Sequence, residues 1–237
     1  EIEIDSDNNV VVGTCTRSKD FPTLNPIQPI LSSGLEGCIF KLDRHLSNII
    51  WSTYFGGSGD DCIYSVDFNR NNDIVFGGGT TSSDLNTTPS AFQQSYNSSN
   101  ALSPDGFITT IDNNADSILF STYFGTDLYD QVFFIDVTKN DQVHVLGQTN
   151  DTSNFFIKNS TISTQKSGQF ISTLSSSLSS LIRSSAIGSG KGTPDISPTA
   201  FMVDLCNSYY LSGWGSSING QLSTLNLPTS DLSLIHI

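Results

Sequence analysis

Ser52-Thr53-Tyr54-Phe55-Gly56 returns as Ser121-Thr122-Tyr123-Phe124-Gly125, and in weaker form as Ser184-Ser185-Ala186-Ile187-Gly188. A period of about 67 residues is the mark of stacked supersecondary units, because each unit buries its faces only against the next. Three further segments recur in phase with it. An apolar run closes on Gly13, Gly78, Gly147 and Gly213. Gly37-Cys38-Ile39-Phe40-Lys41-Leu42 is matched by Gly106–Ile111 and Gln169–Leu174. Cys62–Asp67 is matched by Gln131–Asp136 and, on the pattern of an Asp-terminated run, by Thr199–Asp204.

All four segments are of strand length and rich in β-branched and aromatic residues, with Asp, Asn and Ser between them. Those polar residues suit tight turns, since their side chains bond nearby amides and tolerate positive φ. Short turns make consecutive strands antiparallel. Four such strands per repeat predict an all-β fold of four-stranded antiparallel blades, as in a β-propeller. About three complete blades and the start of a fourth are expected, an incomplete ring. The repeat region spans residues 1–230, in units of about 5–67, 67–136, 136–204 and 204–230.

The chain has 237 residues and a formal net charge of −13, with only 10 Lys plus Arg. That balance argues against nucleic acid, whose phosphates need a cationic footprint. No apolar run is long enough for a membrane-spanning helix, so no direct membrane insertion is expected. The four cysteines form no C-x-x-C pair, which gives no zinc signal. Buried free thiols are expected, with a Cys15–Cys38 disulfide as the alternative.

The sequence offers little catalytic chemistry. His45 falls in a turn, His144 in a strand and His236 near the end, with no nucleophile motif around them. Asp60-Asp61 and Asp127/Asp130 occupy corresponding loops, and repetition argues for a turn role rather than a paired-carboxylate site. Gly190-Lys191-Gly192-Thr193 lacks the spacing of a phosphate-binding loop. No catalytic or cofactor-binding residue is assigned. The metal reading is calcium at Asp5, Asp7 and Asn9, which alternate oxygen ligands as a hard cation needs. Asp/Asn hairpin chemistry explains the same residues without an ion.

Asp20-Phe21-Pro22-Thr23, Gly78-Gly79-Thr80-Thr81-Ser82-Ser83-Asp84-Leu85, Asp105-Gly106-Phe107-Ile108 and the two Ser-Thr-Tyr-Phe-Gly copies resemble the bacterial seven-bladed β-propeller repeat known as the SBBP repeat. Pro194–Asp204 and Leu211-Ser212-Gly213-Trp214-Gly215 resemble propellers of large surface proteins that carry gliding-motility-type C-terminal sorting domains. The resemblance implies secretion or cell-surface display and no catalytic residues. The expected function is therefore a non-enzymatic extracellular scaffold, binding protein or glycan in adhesion or gliding. The long loops Phe21–Gly37 and Leu85–Asp105, with Phe92 and Tyr96, are the places for such a ligand. The competing reading is a propeller-based polysaccharide hydrolase or lyase whose catalytic groups lie partly in other blades. Leu232-Ser233-Leu234-Ile235-His236-Ile237 resembles the translated end of a sequencing adapter, and 231–237 are set apart as a non-native tail.

Overall fold

The computed structural model describes residues 1–32, 34–98, 100 and 102–215. The part of the fourth repeat beyond 215, His236 and the terminal hexapeptide lie outside the described residues. The architecture is all-β, with no helix among the described residues.

Fourteen strands follow in chain order. They are β1 (Ile2–Ile4), β2 (Val10–Thr16), β3 (Glu36–Leu42), β4 (Ile49–Phe55), β5 (Asp61–Phe68), β6 (Ile74–Thr80) and β7 (Asp105–Ile111). Then come β8 (Ile118–Phe124), β9 (Asp130–Val137), β10 (Val143–Thr149), β11 (Gln169–Leu174), β12 (Leu181–Ile187), β13 (Ile196–Val203) and β14 (Tyr209–Gly215). β1 to β4, β5 to β8 and β9 to β12 form three four-stranded antiparallel meanders, and β13–β14 pair as a two-stranded sheet. We number these sheets 1 to 4. No sheet closes on itself among the described residues.

The sheet boundaries fall in the linkers after Phe55, Phe124 and Ile187. Strands β5, β9 and β13, which the sequence groups with the repeat before them, therefore open the next sheet. In β13 the structure also corrects the alignment. Tyr64 and Phe133 are skipped in the ladders to β6 and β10, and in β13 Thr199 is skipped in the same way. Counting from these bulges, Met202 occupies the place of Asp67 and Asp136, and Asp204 belongs to the following turn. The sequence alignment is off by two because the linker before β13 is longer.

The sheets pack face to face through three apolar layers. Val11, Ile39, Trp51 and Phe55 of sheet 1 meet Ile63, Phe76, Phe107 and Tyr123 of sheet 2. Ile108 and Phe124 of sheet 2 meet Val132, Val145, Phe170 and Leu174 of sheet 3. Leu146, Ile171 and Ile187 of sheet 3 meet Leu211 and Tyr209 of sheet 4. Both faces of β6, β7 and β10 are thus almost wholly buried. That explains their near-continuous apolar, glycine and hydroxyl sequences. Gly78 lies in mid-strand rather than in a turn, because a Cβ there would overlap the Cys62 carbonyl oxygen.

Cys15 of β2 is disulfide-bonded to Cys62 of β5, which staples sheet 1 to sheet 2. This overturns the expectation of free thiols at Cys15 and Cys62, and also the Cys15–Cys38 alternative. Cys38 is a buried free thiol, pushed up to about 11 by desolvation, and Cys206 is free and exposed.

Candidate functional site

The residues singled out by their recurrence are engaged in holding the sheets together. In Ser-Thr-Tyr-Phe-Gly, every residue secures either the long loop between the second and third strands or the next sheet. The Ser52 and Leu24 backbones exchange two hydrogen bonds, and the Ser52 hydroxyl donates to the Pro22 carbonyl at 2.5 Å. Thr53 Oγ1 accepts from the Gln28 amide at 2.8 Å, as Thr122 Oγ1 accepts from Gln93 at 2.9 Å. The Tyr54 hydroxyl donates to Ser18 O, and that of Tyr123 donates to Ser82 O while accepting from the Leu85 amide. Phe55 and Phe124 fill the layer toward the next sheet. The Gly56 and Gly125 amides donate to Gln28 and Gln93 Oε1, both at 3.0 Å. A Cβ on Gly125 would sit 2.8 Å from the Asp105 carboxyl carbon. Phe92 and Tyr96, weighed as sugar platforms, are packing residues. Phe92 stands against Phe124 and Phe155, and Tyr96 meets Tyr123 edge-on.

Asp61 and Asp130, the paired-carboxylate candidates, hold the linkers between sheets. Asp61 accepts from the Gly57 amide and from the hydroxyls of Thr80 and Ser82. Asp130 accepts from the amide and hydroxyl of Thr126, both at 2.6 Å. Burial pushes both carboxyls up to about 6, against the pull of these donors. Asp60 bonds separately, its Oδ1 accepting from the Leu35 amide.

The calcium residues lie in a hairpin turn of a recurring kind. Asp5 N bonds Asn9 O, as Asn69 bonds Asp73, Thr138 bonds Gln142 and Asp204 bonds Ser208. The fourth residue of each turn has positive φ: Asn8, Asn72, Asp141 and Asn207. Asp5 Oδ1 accepts from the Asp7 and Asn9 amides, and Oδ2 accepts from Asn9 Nδ2. The Lys41 ammonium stands 2.6 Å from Asp5 Oδ2, where a cation would have to sit. Among the described residues no group of three or more His, Cys, Asp or Glu side chains converges as metal ligands.

A second set of carboxylates lies on the first strands, which adjoin one another from sheet to sheet. Glu1 Oε2 accepts from the Val66 amide, Asp67 Oδ2 from Val137 and Asp136 Oδ2 from Val203. Each carboxylate thus hooks the opening strand of the next sheet. Desolvation pushes Asp67 up to about 7 and raises Asp136; the Asp136 and Glu3 charges add to the first shift and the Glu1 charge to the second. Sequence reading marked Asp67 and Asp136 as pattern residues but did not reveal this use, which depends on two sheets meeting.

His144 is a buried, hydrogen-bonded strand residue. Its Nδ1 lies 3.0 Å from the Tyr209 hydroxyl and 3.1 Å from Thr173 Oγ1. Burial, and secondarily the charge of Arg183, pushes it down to about 4. Beside this trio, between sheet 3 and the β13–β14 turn, opens a cavity of about 570 Å³ lined by residues including Asn159, Ser160, Arg183, Ser185, Ser208 and Tyr209. None of these was singled out from the sequence as a ligand-binding residue.

No protein-family model matches this chain, and the comparison with curated proteins finds no match.

Proposed function

We propose that the chain is part of a propeller-type, non-enzymatic scaffold that is secreted or displayed at a cell surface and binds protein or glycan. One observation carries the reading: the recurring Ser-Thr-Tyr-Phe-Gly and Asp residues are occupied in holding loops, linkers and neighbouring sheets. Groups so committed build the repeat and are not free for chemistry. The propeller arrangement is supported by the hooks between first strands, which place those strands next to one another while the fourth strands carry the latched loops. Such radial order is what blades around an axis require.

Extracellular placement is supported by the Cys15–Cys62 bridge, since structural disulfides persist in oxidising compartments. It agrees with the resemblance to SBBP-type and gliding-associated surface proteins. The test is made on the native cells. Protein trapped with a thiol-blocking reagent should show the Cys15–Cys62 bridge by mass spectrometry and should be degraded when intact cells are treated with protease. Reduced Cys15 and Cys62 in protein that survives the protease would overturn the reading.

A further inference from the structure

Sheet register makes the three outer hairpins comparable position by position. Lys41 pairs with Trp51 in sheet 1, Thr110 with Phe120 in sheet 2 and Thr173 with Arg183 in sheet 3. Lys41, Thr110 and Thr173 are therefore one structural position, and only sheet 1 places an amine there. Its neighbours across the two ladders are Val11 and Trp51, both buried in the layer against sheet 2. Lys41 itself is 4% exposed. An ammonium is costly in such a place unless it is paired and hydrogen-bonded.

The Lys41 Nζ has two partners, brought to it by different parts of the fold. Asp5 Oδ2, in the β1–β2 turn, lies 2.6 Å away, and its carboxylate is buried too. Asn113 Oδ1, in the β7–β8 turn of sheet 2, accepts a hydrogen bond from Nζ at 2.6 Å. Trp51 Nε1 donates to the Asn113 carbonyl oxygen at 3.0 Å, which fixes the backbone that carries this amide. Asn113 is half-buried, so a small leaving group has a way to solvent. An amine, a carboxamide and a carboxylate thus meet from three elements. A lysine amine is a nucleophile once it has lost its proton. A carboxylate within hydrogen-bond reach can take that proton. Fixing the reactants in contact makes the reaction intramolecular, which removes much of the barrier.

We propose that Lys41 and Asn113 join in an intramolecular isopeptide bond, with Asp5 as the catalytic residue. Asp5 Oδ2 takes a proton from the Lys41 ammonium, and the freed Nζ lone pair attacks Asn113 Cγ. The Cγ–Nζ bond forms, the Cγ–Nδ2 bond breaks, and nothing is oxidised or reduced. Of the three ammonium protons, one stays on the new amide nitrogen. The other two are carried by Asp5 to the departing nitrogen, which leaves as ammonium, and Asp5 ends as it began. Desolvation raises the Asp5 carboxyl, but hydrogen bonds from Lys41 and Asn9 outweigh it and hold it below the ordinary range. The resting pair is therefore ionic, the proton transfer is uphill, and the bond forms slowly after folding. Cys15 pairs with Gly37 at the start of β3, whereas Lys41 lies near its end. The junction of sheets 1 and 2 is thus stapled at both ends. This inference stands apart from the scaffold reading, whose test concerns other residues.

The experiment is intact-mass measurement and tryptic mapping of the full folded chain, reduced and alkylated after incubation over several days. The protein should become lighter by one ammonia. Trypsin should no longer cleave after Lys41, and a branched peptide should join Lys41 to Asn113. Lys41→Arg and Asn113→Ala should keep the full mass of their sequences. Asp5→Asn should slow the cross-link by about 100-fold or more, the loss expected on removing a general acid–base group. Folded protein that keeps its full mass and is cleaved after Lys41 would overturn the proposal. So would loss of ammonia with Lys41 still cleaved, the mark of a succinimide at Asn113, or cross-linking of Asp5→Asn at the unsubstituted rate. If the variants fail to fold, the peptide map of the unsubstituted chain decides by itself.

Discussion

Sheets 1 and 2 meet as two four-stranded sheets across a filled aromatic layer, whereas sheet 3 meets the two described strands of sheet 4 across a smaller aliphatic one. The side chains at the two junctions differ as well. Phe55 stacks on Phe107 and meets Phe76 edge-on, with Trp51 beside them. At the third junction Ile187 stands where Phe55 and Phe124 do, and Arg183 where Trp51 and Phe120 do. On the opposite face of sheet 3, Ala186 replaces Tyr54 and Tyr123. There the loop residues Phe155 and Phe156 supply aromatic bulk, and Phe156 stacks on Phe170 at 3.9 Å between ring centroids. One face of the worn copy is thus filled from its own loop. A repeat that has lost its signature keeps its fold.

The largest expected effect tests the filled layers. Phe124 is fully buried and touches Phe92, Phe155, Phe156 and Phe170. Phe124→Ala should cost about 3–5 kcal/mol, and Ile187→Ala at the junction with sheet 4 nearer 2 kcal/mol, by chemical denaturation. Equal losses would erase the contrast between the two regions.

Next comes the staple, which exists only between sheets 1 and 2. Cys15 and Cys62 are 47 residues apart, and closing a loop of that size stabilises by about 2–4 kcal/mol. Reduction should lower the denaturation midpoint by the corresponding amount. An unchanged midpoint would mean that packing alone holds the first junction.

A smaller effect follows from pH. Burial raises Asp67 and Asp105 to about 7, and Asp61 and Asp130 to about 6. These carboxyls take up protons in the folded state before the unfolded one. Their contribution improves as pH falls through the folded values and is lost as pH rises. Asp84, Asp112 and Asp141 are held low by hydrogen bonds and, for Asp141, by Arg70, so they stabilise until pH falls below the ordinary carboxylate range. Tm should therefore peak between about pH 4 and 6. Asp67→Asn, whose amide oxygen still accepts from Val137, should flatten the decline above the peak. A Tm that rises steadily from pH 5 to 8 would contradict these assignments.

Much of this was legible in the sequence. Strand segments, hairpin turns and the structural role of the repeated Asp residues follow from local pattern, because alternation and turn chemistry act over a few residues. The grouping of strands into sheets did not. A period carries no phase, and what ends a sheet is the five-residue linker held by Asp61 or Asp130, not a change in strand character. The disulfide was misread for a related reason, since Cys15 and Cys62 meet only through packing of two sheets. That Arg183 stands where Trp51 and Phe120 do was invisible because only sheet register aligns the three.

The claim that the signature is a latch is tested most directly at Tyr123. Its hydroxyl closes two hydrogen bonds, to Ser82 O and from the Leu85 amide, in a buried site. In Tyr123→Phe, native-state hydrogen exchange should show the Leu85 amide losing its protection. Stability should fall by about 1–3 kcal/mol, the cost of stranding buried polar groups. A Leu85 amide that keeps its protection, with stability unchanged, would contradict the latch.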